Sequence, residues 1–213
     1  PPGIYRKFKN SKVLPKYQWT IVDAKTKTRF LAWSHELNSF FGLKFLEFIL
    51  SWLRSRGIQG EIRIQFDGGA EFCSASKKKI KDWNKQLKKY HAVCRDTGGA
   101  KWKQNLVERT HRIDDEELYC PRGHFINTPA EFFVESQFWN IHYNNRPSDG
   151  IGMNGLSPRQ KLEHLGIIQA KSICNFPSLI LGGFFKPFME ILTIETDQNF
   201  LRLKSHYVLT QYL

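Results

Sequence analysis

Cysteine is scarce and scattered. The four in 213 residues stand at 73, 94, 120 and 174, with no Cys-x-x-Cys pair and no histidine at zinc-ligand spacing beside them. That excludes a zinc ribbon and gives no disulfide framework, so the cysteines read as reduced, structural residues of a cytoplasmic protein. Long apolar runs are absent too. FFGLKFLEFILSWL and SLILGGFFKPFMEIL are each broken by Lys and Glu and fall short of the roughly 20 residues a spanning helix needs, so no transmembrane segment is expected. There is no internal repeat and no low-complexity tract. The N-terminal PPGIYRKFKN has neither the apolar core of a signal peptide nor an initiator Met, and the chain is expected to be a piece of a longer protein. Negative charge is also in short supply, with 20 acidic residues against 32 basic ones, a net +12. A pI near 9.6 makes a polyanion the leading partner, nucleic acid ahead of an anionic membrane surface.

A chain of this length can bury one good core and a small appendage. Residues 1–15 read as a loop, with prolines at both ends and a basic middle. Two apolar runs, 17–23 and 29–33, joined by AKTKT, read as a hairpin. Residues 37–54 are dense enough in apolar side chains for a helix buried on most of its surface, with Gly57 at its C-terminal cap. Ser74 can cap a helix on which Ile80, Trp83, Leu87 and Tyr90 form one stripe while Lys77, Lys78, Lys79, Lys81, Lys85 and Lys88 take other faces. Thr128-Pro129-Ala130-Glu131 has the form of a capping box with Pro at the first helical position. The helix it opens runs through Phe132, Phe133, Phe138 and Trp139 and is expected to be core. Ser157-Pro158 repeats the device for a short helix that Gly166 ends. Residues 1–166 are therefore read as the main domain. Residues 167–213 are read as a C-terminal appendage, expected to contain β structure.

The most informative stretch is 61–112. It opens EIRIQFDGGAEF, where Ile62, Ile64 and Phe66 alternate with polar residues and the strand so implied runs straight into Asp67-Gly68-Gly69. Farther on, NLVERTHRIDDEELY carries Leu106, Thr110, Ile113 and Leu118 at roughly helical spacing, with Glu108 at the border of the stripe. One carboxylate is thus expected at a strand end and another on a helix, an arrangement suited to metal-bound phosphoryl transfer. Singly, Asp-Gly-Gly reads as an ordinary turn and Glu108 as a solvated helix residue. Context shifts the balance: residues 74–104 hold nine Lys and one Arg against two Asp. His111, three residues after Glu108 on the helix, reads first as a surface or packing histidine.

Four stretches in order carry a resemblance. FDGGAEF resembles the D-N-G-x-E-F strand end, and WKQNLVERTHRIDDEE the Q-N-G-x-x-E-R-x-H-R-T helix, of the DDE-type integrase core found in bacterial insertion-sequence transposases and retroviral integrases. YQWTIVDAKTKTRFLAW is similar to that family's central hairpin, and YNNRPSDGIGMNGLSPRQKL to its closing Y-N-x-x-R-P-H-x-x-L-x-x-x-T-P signature. Leu106 stands where the family has Gly, and Gly68 where it has Asn; neither change removes a proposed ligand.

The resemblance implies an α/β fold, an RNase H-like mixed sheet with helices on both faces. It also implies a recombinase that cleaves transposon ends and transfers DNA 3′-OH ends to target DNA. Three carboxylates would hold two Mg²⁺ or Mn²⁺ ions. Two of them match Asp67 and Glu108, which are the expected catalytic and metal-binding residues. The first would lie upstream of Pro1; Asp23 matches a structural Asp of the family at the end of its second strand and is a weak substitute. The present chain is accordingly expected to be inactive by itself. The expected DNA contacts are Lys78, Lys81, Lys85, Lys88, Lys101, Trp102, Lys103 and Arg109, with the transposase acting as a homo-oligomer on double-stranded DNA. Two other readings stay open: a catalytically inactive DNA-binding remnant, and a hydrolase using Asp67 and Glu108 as an acid/base pair, against which the basic segment argues.

Overall fold

A computed structural model describes residues 2–66, 77–95 and 105–182. It is a mixed α/β protein, and its centre is strand β2 (Arg29–Ser34), all six residues of which are buried. β2 pairs antiparallel with β1 (Tyr17–Val22), with Gln18 opposite Trp33 and Thr20 opposite Leu31, and parallel with β5 (Leu179–Leu181). A strand covered on both faces is apolar throughout rather than alternating. Accordingly Leu31 and Trp33 enter one core cluster while Phe30 and Ala32 enter another on the opposite face. A second sheet holds two parallel strands, β3 (Ile62–Gln65) and β4 (Ala92–Arg95).

The first cluster lies under helix α1 (Pro2–Asn10), so the loop reading of residues 1–15 is corrected here. Proline is tolerated in a first helical turn. Ile4 and Phe8, one turn apart, are buried against Tyr119 and Phe132, where each such side chain contributes about 1.5–3 kcal/mol. On the other face lie α2 (Ser39–Ser55) and α8 (Ala170–Cys174); Phe45, Ile49, Ile173 and Phe176 fill the second cluster. Asn38 caps α2 by accepting from Phe41 N, and Gly57, at φ +83°, takes the left-handed turn that ends it. Residues 170–181 thus share the core of the hairpin; positions 183–213 lie outside the described residues.

The third cluster joins α2 to β3, β4 and α3 (Lys77–Leu87). Trp83 meets Phe66 edge-on at 5.5 Å between ring centres, and Leu87 is fully buried. Asn84 clasps β4: its Oδ1 accepts from Cys94 N at 2.6 Å and its Nδ2 donates to Cys94 O at 3.2 Å. Among the described residues β1 pairs only with β2 and β3 only with β4, while Ile21 of β1 packs in both the second and third clusters.

Helix α4 (Asn105–Asp114) continues through one widened π-helical stretch, Asp115–Tyr119, into α5 (Cys120–Arg122). The wider turn places both Leu118 and Tyr119 in the core. α6 (Pro129–Asn145) and α7 (Pro158–His164) begin with the expected capping boxes, Thr128 with Glu131 and Ser157 with Gln160. On α6, Phe132 and Trp139 are core residues, but Phe138 is exposed and stacks on His142, which corrects its assignment to the interior. Ser136, Asn140 and Asn144, four apart, are buried instead, so the core-facing side of α6 is partly polar.

Asn144 on that side meets an ion pair. Arg29 of β2 and Asp114 at the end of α4, both essentially inaccessible, are joined through Arg29 Nη1. Asp114 also accepts from Trp139 Nε1 at 2.6 Å and Gln18 Nε2 at 2.7 Å. Asn144 brackets the Arg29 backbone, accepting from its N at 2.9 Å and donating to its O at 2.8 Å. The guanidinium lies 3.7 Å from the centre of the Tyr143 ring. Burial lowers the Arg29 pKa, and Asp114 opposes that shift. Removing one partner strands a buried charge, at a cost of roughly 3–5 kcal/mol. Asp114→Ala should therefore lower the urea midpoint sharply, and Asp114→Asn, which keeps a polar acceptor, should do so less. Wild-type stability in Asp114→Ala would show that the pair does not hold α4 to the sheet.

Candidate functional site

Glu108 sits one turn into α4, exposed, and lines an open cleft of about 680 Å³ with Arg109, Arg112, Ile113, Glu116, Glu117 and Arg146. The helix explains the grouping, because residues 108, 109, 112, 113 and 116 fall on one face at 3.6 residues per turn. The opposite face, through Thr110 and Asp114, is buried against the sheet and α6. The core contacts of Asp114 and Leu118 therefore dictate that Glu108 points away from the core.

Within the cleft most charges are matched. Arg112 Nε donates to Glu116 at 2.7 Å along the helix, and Arg146, the residue that ends α6, pairs with Glu117. Both pairs are substantially solvent-exposed and contribute about 0–1 kcal/mol each. Glu108 and Arg109 have no hydrogen-bond or ion-pair partner among the described residues. Arg109 reaches toward the turn after α6: a Cβ placed on Gly150 would lie 3.8 Å from its Nη1. A carboxylate without a partner among the described residues, set among three guanidinium groups, can serve as an oxygen donor to a hard divalent cation. The arginines offer planar donors to phosphate.

Asp67 lies outside the described residues, as do Lys101, Trp102 and Lys103, and with Asp67 so does its expected meeting with Glu108. The residue before Asp67, Phe66, is buried against Trp83. Among the described residues no three His, Cys, Asp or Glu side chains form a metal-binding group. Asp23 is occupied: its Oδ2 accepts from Lys25 N at 3.1 Å, Thr26 N at 2.6 Å and Thr26 Oγ1 at 2.7 Å. It stabilises the hairpin turn, an ordinary use of Asp in that position.

Lys78, Lys81, Lys85 and Lys88 are all exposed. Each precedes by two residues a member of the Ile80, Trp83, Leu87 and Tyr90 stripe that packs against α2, β3 and β4. Two residues turn a helix by about 200°, so the four lysines form a row directly opposite the buried side. Lys88 stands in a short 3₁₀ turn, Lys88–Tyr90, that extends α3.

His111 does not share the Glu108 cleft. It lines a smaller cavity of about 270 Å³ with Tyr5, Tyr17, Trp33, Asp115 and Tyr119. There Tyr5 donates to Asp115, and burial together with that carboxylate pushes the Tyr5 phenol well above its ordinary range. Tyr119 is raised chiefly by burial; its Oη accepts from Trp33 Nε1 and donates to Gln18 Oε1. Both phenols remain neutral donors.

Sequence reasoning missed Arg112 and Arg146. Arg112 was within its reach, standing four residues after Glu108 and so on its face. Arg146 follows α6, and only the tertiary packing of α6 on α4 brings it to the cleft. Comparison with protein-family models and with curated proteins finds no match.

Because Glu108 is exposed and has no partner among the described residues, Glu108→Gln should leave thermal stability nearly unchanged, within about 0.5 kcal/mol. Differential scanning calorimetry checks this. A large loss would assign Glu108 a structural role and remove it as a candidate ligand.

Proposed function

We propose that this chain is the integrase-type core of a DNA recombinase, with an RNase H-like arrangement of strands, acting on double-stranded DNA by metal-dependent phosphoryl transfer. The observation that carries the reading is Glu108: an exposed carboxylate without a partner among the described residues, held on a rigid helix in a cleft with Arg109, Arg112 and Arg146. Support for the fold comes from the strand pairing. Among the described residues β1 pairs on one side only and β3 on one side only, and Ile21 touches the apolar clusters of both sheets. The reading puts the family's first strand, with the third carboxylate, between those two edges, antiparallel to β1 and parallel to β3.

Asp67 and Glu108 would hold Mg²⁺ or Mn²⁺, hard cations suited to carboxylate oxygens. Such ions, when bound, lower the pKa of an attacking water or 3′-OH and neutralise charge at the scissile phosphate. The chain's own part is placement. α4 fixes the Glu108 carboxylate at the cleft wall, and Arg109 and Arg112 stand one step and one turn beyond it. Arg146 is available to a flanking phosphate by exchanging Glu117 for it. The row of Lys78, Lys81, Lys85 and Lys88 gives the duplex a second, sequence-independent track. Transposon ends and target DNA are the expected substrates, and a homo-oligomer the expected assembly on them. Among the described residues no helix is long and apolar enough to cross a membrane, and cytoplasmic action on DNA is part of the proposal.

Two measurements test this. Affinity for duplex DNA should fall steeply with salt, and replacing three of Lys78, Lys81, Lys85 and Lys88 by Gln should flatten the slope of log K against log salt by roughly 2.7, about 0.9 for each phosphate no longer neutralised. An unchanged slope returns the row to a solvated face. The chain extended upstream by a strand carrying an acidic residue should join DNA 3′ ends to a target with Mg²⁺ or Mn²⁺. Glu108→Gln and Asp67→Asn should each abolish joining while leaving DNA affinity in place. Salt-dependent binding without joining by any extended form would favour the inactive DNA-binding remnant.

A further inference from the structure

Between α6 and α7 the chain makes a compact double turn, residues 147–156, whose tip carries Ile151 at 92 % exposure. A lone exposed isoleucine is common on a protein surface; this one stands on a hydrogen-bonded turn. Met153 N donates to Gly150 O at 2.8 Å, Leu156 N to Met153 O at 3.1 Å and Ser148 N to Leu156 O at 3.3 Å. Three residues take left-handed backbone, Gly152 (φ +77°), Asn154 (φ +54°) and Gly155 (φ +72°), two of them the residue type that adopts it without strain. Met153, two residues after Ile151, is buried at 1 % and anchors the turn. The apolar side chain is therefore projected from a hydrogen-bonded, anchored base. The same turn adjoins the cleft, because Gly150 approaches Arg109 Nη1, and Arg109, Arg112 and Arg146 share that cleft with Glu108.

We propose that Ile151 is a wedge that enters duplex DNA between stacked bases beside the Glu108 cleft. Rigid apolar side chains flanked by phosphate-binding cations are the means by which proteins unstack and kink a duplex, and flexible pyrimidine–purine steps yield most readily. The guanidinium groups hold the backbone and Ile151 opens the step, which widens access to the phosphate at the cleft. The proposal rests on the DNA-binding reading above and adds a deformation that phosphate contacts alone do not require.

The test uses the full chain and duplexes carrying 2-aminopurine at a central TA step, together with an end-labelled duplex that reports bending by energy transfer. Wild type should raise 2-aminopurine fluorescence and shorten the end-to-end distance. Ile151→Ala and Ile151→Ser should bind with affinity within about threefold and an unchanged salt slope, since phosphate contacts set both, yet lose most of the fluorescence gain and bending. Ile151→Phe should retain them. Equal fluorescence from wild type and Ile151→Ala overturns the wedge, as does salt-dependent binding by wild type with no fluorescence change; in both cases DNA binding itself stands. If wild type shows no salt-dependent binding, the DNA reading falls and the wedge with it.

Discussion

The buried contact between Arg29 and Asp114 fixes the relation of three elements that share no sequence neighbourhood. Arg29 opens the central strand, Asp114 closes the α-helical part of α4, and Trp139 and Asn144 come from α6. Two charges taken out of water are held by their mutual attraction together with the hydrogen bonds and ring contacts around them. Here Gln18 and Trp139 donate to Asp114, while the guanidinium, whose Nε and Nη2 have no hydrogen-bond partner among the described residues, lies against the rings of Trp139 and Tyr143. Such a contact has little tolerance for rotation of α4. With Asp114 turned inward, Glu108, Arg109 and Arg112 have to look outward, and the cleft follows from the core.

The helix thus divides its chemistry by face. Asp114, which is buried, and Asp115, which is bonded by Tyr5, serve architecture, while of the acids lining the cleft Glu116 and Glu117 are paired with arginines and Glu108 has no partner among the described residues. The same separation recurs on α3, where aromatic and aliphatic residues grip α2 and β4 while lysines look outward. Two elements bearing cations are consequently each held by an apolar or polar seam that the cations take no part in, so their charges can be altered with little effect on the seam.

What could be read from the sequence follows from how local its cause is. The hairpin of β1 and β2, both capping boxes and the Gly57 and Gly166 helix ends rest on residues a few positions apart, and each was legible. α1 was not, because it opens on Pro2 and its basic residues Arg6, Lys7 and Lys9 read as a polar loop, while Ile4 and Phe8 gain their helix through burial under Tyr119 and Phe132. β4 is four residues long and is held by β3 and by Asn84, partners that periodicity does not reveal. Phe138 misled for the opposite reason: an aromatic residue in an aromatic-rich helix looks interior, yet the buried side of α6 combines Phe132 and Trp139 with polar Ser136, Asn140 and Asn144, and leaves Phe138 outside. In the cleft, Glu108 and Arg109 were legible by motif and Arg112 by spacing. Arg146 depends on packing between helices, and Asp67 lies outside the described residues.

Phe66 closes β3 by burying its ring on Trp83, and Trp83 lies on the inner side of the helix whose outer side carries the lysine row. The strand end and the row are thereby two marks on one ruler. The edge-on contact of Phe66 and Trp83, with buried Leu87 and the Asn84–Cys94 bonds, sets the row of Lys78, Lys81, Lys85 and Lys88 at a fixed distance from the point where β3 ends. Changing the size of the ring at 66 or 83 would recalibrate that distance without touching a charged residue.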